Sequence, residues 1–139
     1  MGKSARHALV PTPGELKLLK ILWSLGEGTI EEILEASDEN PPPNYKTVQT
    51  LLRIMENKKL VTHRMRGRAF VFQPRVQEQQ VNRSSIRSLL QRQFEGSRAQ
   101  LLLNLLDDER IDSAELKELE ELIRRRRQGK PLRSKTAQG

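Results

Sequence analysis

Apolar residues recur at helical spacing through the first part of the chain, and loop-forming residues separate the resulting stripes. Thr12-Pro13-Gly14-Glu15 has the composition of a helix start: a capping threonine, a proline at the first helical position and a glutamate three residues after the cap. An apolar stripe from Leu16 to Leu25 follows, and Thr29 opens a second, shorter helix. The run Pro41-Pro42-Pro43 excludes a helix at that point, so a third helix begins after it with Asn44 as its cap.

The third helix is predicted to be amphipathic and to precede a β-hairpin. Its buried side consists of four apolar residues at spacings of three, four and seven, namely Val48, Leu51, Leu52 and Met55. Residues 60–65 and 69–73 alternate between polar and apolar side chains on either side of a turn at Arg66-Gly67-Arg68. Three short helices and a hairpin predict a winged helix-turn-helix domain over residues 10–75, whose third helix enters the major groove of DNA.

Residues 76–127 are predicted to be helical, with three apolar stripes separated by Gly96-Ser97 and by the segment before Ser113. Ser113 is predicted to cap the last helix. The middle stripe is apolar on nearly all sides, and one chain of this length cannot cover all three. A second copy would cover them, so we predict a helical dimerisation domain over residues 76–127. Its predicted contact residues are Leu89, Leu90, Phe94, Leu101, Leu102, Leu105, Leu106, Leu116, Leu119 and Ile123. The fold class is therefore mainly α, with a flexible N-terminus over residues 1–9 and a basic, disordered tail over residues 128–139.

Charge is sorted along the chain and indicates a nucleic-acid partner. The segment from Pro43 to Arg75 contains eight Lys or Arg residues and a single acid, Glu56. Its net charge of +7 equals the formal charge of the whole protein. A basic block of this kind, carried on a helix and a hairpin, is typical of a surface that binds phosphates. Aromatic residues make up only 4% of the chain, so stacking on single-stranded bases is poorly supported and double-stranded DNA is the expected partner.

The polar side of the third helix and the hairpin tip supply the candidate contacts. A solvated helix face is the usual explanation of such residues, but the adjacent basic hairpin favours contact with base edges. Arg66 and Arg68 are expected to reach phosphate or the adjacent minor groove, while Tyr45 either packs under the helix start or donates to a phosphate. The candidate DNA-binding residues are Tyr45, Lys46, Thr47, Gln49, Thr50, Arg53, Arg66 and Arg68.

Several other classes of protein are disfavoured. The chain has no cysteine, no paired histidines, no Gly-rich phosphate loop and no serine in a nucleophile-elbow setting, so we expect no enzyme, no metal site and no cofactor. No apolar run approaches the roughly 18 residues that a membrane span requires, and residues 1–25 lack the features of a signal peptide. We therefore expect a soluble, cytoplasmic protein without membrane insertion.

Four segments of the chain resemble the BlaI/MecI penicillinase-repressor family. They are the recognition helix Asn44-Tyr45-Lys46-Thr47-Val48-Gln49-Thr50, the following Lys58-Lys59-Leu60-Val61, the wing at residues 66–74 and the leucine block at residues 101–106. The resemblance covers roughly residues 10–126. It implies a homodimeric transcriptional repressor that binds palindromic operators. It also implies a partner, a membrane-bound sensor protease that triggers cleavage inside the dimerisation domain. The matching position here is Asn104-Leu105, where the members best known for cleavage have Phe after the Asn.

Two departures from the family pattern lie next to the recognition helix. Lys59 stands where the family usually has glycine, and a left-handed backbone there would strain a lysine by about 1 to 2 kcal/mol. Ile54 occupies a position that is commonly Arg, and Arg53 is placed to take over its phosphate contact. Two other functions remain open: a sequence-tolerant architectural nucleic-acid-binding protein, and an adaptor whose winged helix binds another protein, although the adaptor would leave the basic surface unexplained.

Overall fold

The computed structural model describes residues 9–133, which form six helices and one two-stranded antiparallel sheet. In chain order these are α1 (Pro13–Leu25), α2 (Ile30–Ala36), α3 (Tyr45–Asn57), β1 (Val61–Arg66), β2 (Ala69–Pro74), α4 (Glu78–Phe94), α5 (Arg98–Leu106) and α6 (Ser113–Arg127).

Local side-chain caps set the starts of the first three helices. The Thr12 hydroxyl accepts from the Glu15 backbone N–H at 3.2 Å, and Glu15 Oε1 accepts from the Thr12 N–H at 3.0 Å. Thr29 and Glu32 repeat this capping box at the start of α2. Asn44 Oδ1 accepts from the N–H groups of Lys46 and Thr47, at 2.8 and 3.2 Å. Each cap satisfies amide donors that the first helical turn leaves without partners, so these predicted helix starts are confirmed.

The hairpin is tighter than the sequence indicated. The register pairs Arg66 with Ala69, so Arg66 ends β1 and the turn consists of Gly67 and Arg68 rather than of three residues. Gly67 has a φ of 64°, which glycine adopts without strain and which a two-residue hairpin turn requires. On the other edge of β2, Gly28 exchanges two backbone hydrogen bonds with Phe72, at 2.9 and 2.8 Å. The connection between α1 and α2 is thereby held against the hairpin.

One apolar core joins the three helices to the hairpin. Its buried members come from all five elements and from the α3–β1 connection: Leu18, Leu19, Leu22, Ile30, Ile33, Val48, Leu52, Met55, Leu60, Val61 and Phe72. Burial of these side chains removes apolar surface from water, the main source of stability for a domain of this size. The predicted winged helix-turn-helix arrangement, followed by further helices, is confirmed.

The chain divides into two compact units between Gln93 and Phe94. This division counts α4 with the first unit, and the predicted domain boundary at residue 75 stays a prediction. Within the second unit, α5 begins after Ser97, whose hydroxyl accepts from the Gln100 N–H, and α6 begins after Asp112. The prediction of Ser113 as the cap of α6 was wrong by one residue: Asp112 Oδ1 accepts from the Glu115 N–H at 2.8 Å, and Ser113 is the first helical residue.

Candidate nucleic-acid interface

The helix α3 presents a polar face to solvent over its whole length. Val48, Leu52 and Met55 are buried in the core, which leaves the other sides of this 13-residue helix outside. The predicted contact residues Lys46, Thr47, Gln49, Thr50 and Arg53 are all exposed. Because Lys46 and Thr47 lie in the first turn, they occupy the end of the helix that approaches base edges in a helix-turn-helix complex.

A cleft of about 490 Å³ separates α3 from the wing and brings part of the predicted set together. Tyr45, Gln49 and Arg53 line it from the helix, and Arg68 lines it from the hairpin. Lys46, Thr47, Thr50 and Arg66 lie outside its lining. The Tyr45 side chain is 45% exposed on the cleft wall, so packing beneath the helix start does not describe it.

The arginines of the wing differ in their partners. Nη2 of Arg64 lies 2.6 Å from Oε2 of Glu27, and Nη2 of Arg66 lies 3.6 Å from Oε1 of Glu32. Within residues 9–133, Arg68 has no acidic partner. The sequence gives no reason to distinguish these three guanidinium groups. In the described part of the fold, Arg64 and Arg66 are paired with carboxylates and Arg68 is not.

A chain of contacts missed by the sequence analysis joins the end of α3 to the wing. Nδ1 of His63 donates to Glu56 and lies 2.7 Å from Oε2. The His63 ring stacks on Phe70 with a centroid distance of 4.4 Å and an angle of 3° between the planes. Local sequence patterns do not indicate this pair, because Glu56 lies on a helix and His63 on the following strand.

An ion pair between a buried glutamate and an exposed lysine connects the other side of α3 to α1. Glu15 is only 2% exposed, and its Oε2 lies 2.8 Å from Nζ of Lys58, the C-cap residue of α3. Its second oxygen caps α1, as described above, so both carboxylate oxygens have donors. Lys58 was counted from the sequence as part of the basic surface, but it ties the end of the recognition helix to the start of α1.

Lys59 has the left-handed backbone for which the family pattern has glycine, with a φ of 66°. Its N–H donates to the Glu56 carbonyl at 3.0 Å, and the Leu60 N–H donates to the Met55 carbonyl at 2.9 Å. These two bonds form a Schellman motif, which satisfies the last carbonyls of α3 and turns the chain into β1. The expected strain at Lys59 is therefore present.

The second unit carries exposed leucines on its short helix. Leu102, Leu103, Leu105 and Leu106 are exposed, with Leu105 at 57%, while Leu101 is partly buried. Of the other predicted dimer contacts, Leu116 and Ile123 are exposed, Leu89, Phe94 and Leu119 are partly buried, and Leu90 is buried. At the predicted cleavage position, Asn104 Nδ2 donates to the Gln100 carbonyl at 2.9 Å, which keeps this side chain on the helix.

Three carboxylates have pKa values below their ordinary range. The Thr29 backbone N–H, helped by the charge of Arg66, lowers the pKa of Glu32. Hydrogen bonds from Arg110 lower the pKa of Asp108, and those from Arg124 lower the pKa of Glu121. Glu32 is therefore ionised at neutral pH beside the wing.

The described part of the chain carries neither a metal-binding cluster nor a membrane-spanning helix. No group of three or more His, Cys, Asp or Glu residues within 9–133 could hold a metal ion. Among the helices of that range, none combines the length and apolar character needed to cross a membrane.

Comparison with known proteins gives concordant results over most of the chain. A family model described as penicillinase repressor matches residues 11–125, from the segment before α1 into α6. The penicillinase repressor of Bacillus licheniformis is 26% identical over 109 residues, which cover 78% of this chain and 85% of that protein. The match thus includes both the polar face of α3 and the helices of the second unit.

Proposed function

The chain belongs to the penicillinase repressor family of DNA-binding transcriptional regulators, and we propose that it represses transcription as a homodimer bound to palindromic operators. The observation that carries this proposal is the exposed polar face of α3 beside a basic wing. In this proposal the protein acts in the cytoplasm, and its function uses no catalytic group.

In this proposal, α3 enters the major groove with its first turn toward the bases. Lys46 and Thr47 read base edges, and Gln49 and Thr50 extend the readout along the helix. Arg53 and Arg68 line the cleft from the helix and from the wing, and both bind the phosphate backbone that passes between them. Tyr45 donates its hydroxyl to a phosphate at the same edge.

The second unit supplies the contact between two copies. Exposed leucines on α5 and the exposed Leu116 and Ile123 of α6 are costly to leave in water and are suited to pack on the same residues of another copy. A two-fold axis through this contact would hold two copies of α3 about one helical turn of DNA apart. Palindromic operators follow from that symmetry.

Relief of repression by proteolysis is the remaining part of the proposal. Asn104 and Leu105 lie in the last turn of α5, which ends at Leu106, and helix ends open at low free-energy cost. A protease activated by a membrane-bound sensor would cut at this position once the turn opens. Cleavage would separate the DNA-binding unit from α6 and weaken the dimer.

Selection of genomic fragments by the purified protein, at near-physiological salt, tests the function. We expect recovery of a pseudo-palindrome from a few promoters, and its loss in Lys46→Ala/Thr47→Ala. The matched control, Lys20→Ala/Ser24→Ala, removes the same charge and a hydroxyl from exposed positions of α1 and should behave as the wild-type protein. Recovery of fragments without sequence preference would instead indicate an architectural nucleic-acid-binding protein, because a repressor prefers its site by thousands-fold or more.

A further inference from the structure

Two wing arginines are held by carboxylates from the region where α1 connects to α2. The Arg64–Glu27 distance is 2.6 Å and the Arg66–Glu32 distance is 3.6 Å. Both arginines lie on β1, at positions 64 and 66, and therefore on one face of the hairpin. The two acids are thus matched to two successive side chains of that face.

The acids belong to a rigid part of the fold. Glu27 precedes Gly28, whose backbone is paired with Phe72 of β2 in both directions. Glu32 Oε1 accepts from the Thr29 N–H at 2.9 Å, so its carboxylate is fixed by the capping box as well as by Arg66. The backbone next to Glu27 and the carboxylate of Glu32 are therefore held by hydrogen bonds, whereas each arginine reaches its acid through a long side chain with several rotatable bonds.

The ion pairs are open to exchange. All four side chains are partly exposed to solvent, between 37% and 53%, and an exposed ion pair contributes little stability. A DNA phosphate presents the same kind of oxygen to a guanidinium as a carboxylate does, and Arg binds both in similar geometry. Any phosphate that approaches this face of the wing must therefore compete with Glu27 and Glu32.

We propose that Glu27 and Glu32 act as internal competitors of DNA phosphate, which hold Arg64 and Arg66 on the protein and so reduce the affinity of the wing for DNA. This inference rests on the proposed DNA-binding function. It assigns Arg68 as the wing arginine that binds phosphate without first leaving an ion pair, and Arg64 and Arg66 as a reserve that is released when a carboxylate is removed. Glu27 and Glu32 tune affinity in this way without touching DNA.

The test compares Glu27→Gln and Glu32→Gln with Glu35→Gln, and each of these variants removes one negative charge. Binding is measured by fluorescence anisotropy with two labelled duplexes, one carrying the selected operator and one with a shuffled sequence. Glutamine at position 32 keeps the capping acceptor, so α2 should start as before. Glu35 is an exposed acid on the same helix with no ion-pair partner among residues 9–133, so its variant measures the effect of net charge alone.

We expect Glu27→Gln and Glu32→Gln each to bind both duplexes about 1.5- to 5-fold more tightly than Glu35→Gln does. The dependence of affinity on salt should become steeper, by at most about 0.9 in the log–log slope for each arginine released. In an Arg66→Ala background, the Glu32→Gln gain should vanish, because no arginine remains to be released.

Affinities of Glu27→Gln and Glu32→Gln equal to that of Glu35→Gln would overturn the proposal. Weaker binding by these variants would also overturn it, because the carboxylates would then position the arginines for DNA rather than withhold them. Failure of the proposed function itself is distinguishable, since the wild-type protein would then show no preference for any selected fragment.

Discussion

Replacement of Lys59 by glycine should stabilise the DNA-binding unit. The left-handed φ of 66° at this position belongs to a complete Schellman motif. Met55 and Leu60, which form one of its two hydrogen bonds, are both fully buried. The backbone cannot relax without loss of those contacts. The Lys59 side chain is exposed and has no ion-pair partner within residues 9–133, so its removal breaks no ion pair there.

The size of the effect follows from two opposing terms. A left-handed backbone costs a residue with a Cβ about 1 to 2 kcal/mol, and glycine avoids this cost. Glycine loses more conformational entropy on folding, which offsets about 0.5 to 1 kcal/mol. We expect a net stabilisation of about 0.5 to 1 kcal/mol, which would raise the midpoint of thermal unfolding by roughly 2 to 8 °C in a domain of this size.

Urea unfolding followed by the fluorescence of Trp23, the one tryptophan in the chain, measures the free energy of unfolding of the first compact unit, which contains Lys59. Its Nε1 donates to the Val76 carbonyl at 2.9 Å, so the indole reports on α1 and the segment after the wing. Protein concentration must be held constant, because dimer formation would contribute to stability. Lys59→Ala is the control: it removes the charge but keeps the Cβ, and should change stability by less than about 0.5 kcal/mol. Equal stability of Lys59→Ala and Lys59→Gly would refute the reasoning from backbone strain.

Four further outcomes are expected. Lys58→Met should lower the free energy of unfolding by about 1 to 3 kcal/mol in urea titrations, because it leaves the buried Glu15 carboxylate without its cation; no change would mean that the pair is dispensable. Arg68→Ala should reduce the salt slope of DNA binding by about 1 without changing the selected sequence, whereas a changed sequence would contradict a phosphate role. Leu105→Asp should shift sedimentation equilibrium toward the monomer, and an unchanged mass would contradict the proposed dimer contact. Because folding lowers the pKa of Glu32 below its ordinary value of 4.5, its stabilising contribution is complete above that pH and is lost as the pH falls through the folded value, so Glu32→Gln should flatten acid unfolding curves.

Features that depend on neighbours three or four residues away were predictable. The capping box of α1, the start of α2 at Thr29 and the Asn44 cap follow from such short spacings and are confirmed. Of the four apolar residues predicted on the buried side of α3, Val48, Leu52 and Met55 are buried and Leu51 is partly buried. The left-handed residue at Lys59 was expected from the family resemblance, in which glycine usually follows the recognition helix, and Lys59 has the corresponding φ of 66°. The two shifts, the wing turn and the cap of α6, are one-residue errors of the kind expected at element ends.

Features that depend on distant residues were not predictable. Glu15 carries the pattern of a helix cap, and nothing near it in sequence indicates a second partner 43 residues away. Likewise, no local pattern around Glu27 and Glu32 indicates that they lie beside wing arginines. Side-chain ion pairs across 30 or more residues need the backbone positions of two elements, which local patterns do not contain.

The amino-acid sequence by itself determined the order of the elements, the amphipathic recognition helix and the basic character of the region that follows it. Hydrophobic spacing and capping are properties of short segments, and charge is a property of composition. Only the tertiary structure decided which of the basic side chains remain available, because Gly28 pairs with β2 and α1 packs beside the end of α3. Those contacts pair Lys58, Arg64 and Arg66 with carboxylates and leave Arg68 in the lining of the cleft. The physical reason is that the attraction between a basic side chain and a ligand depends on the charges that the fold places within a few ångströms of it.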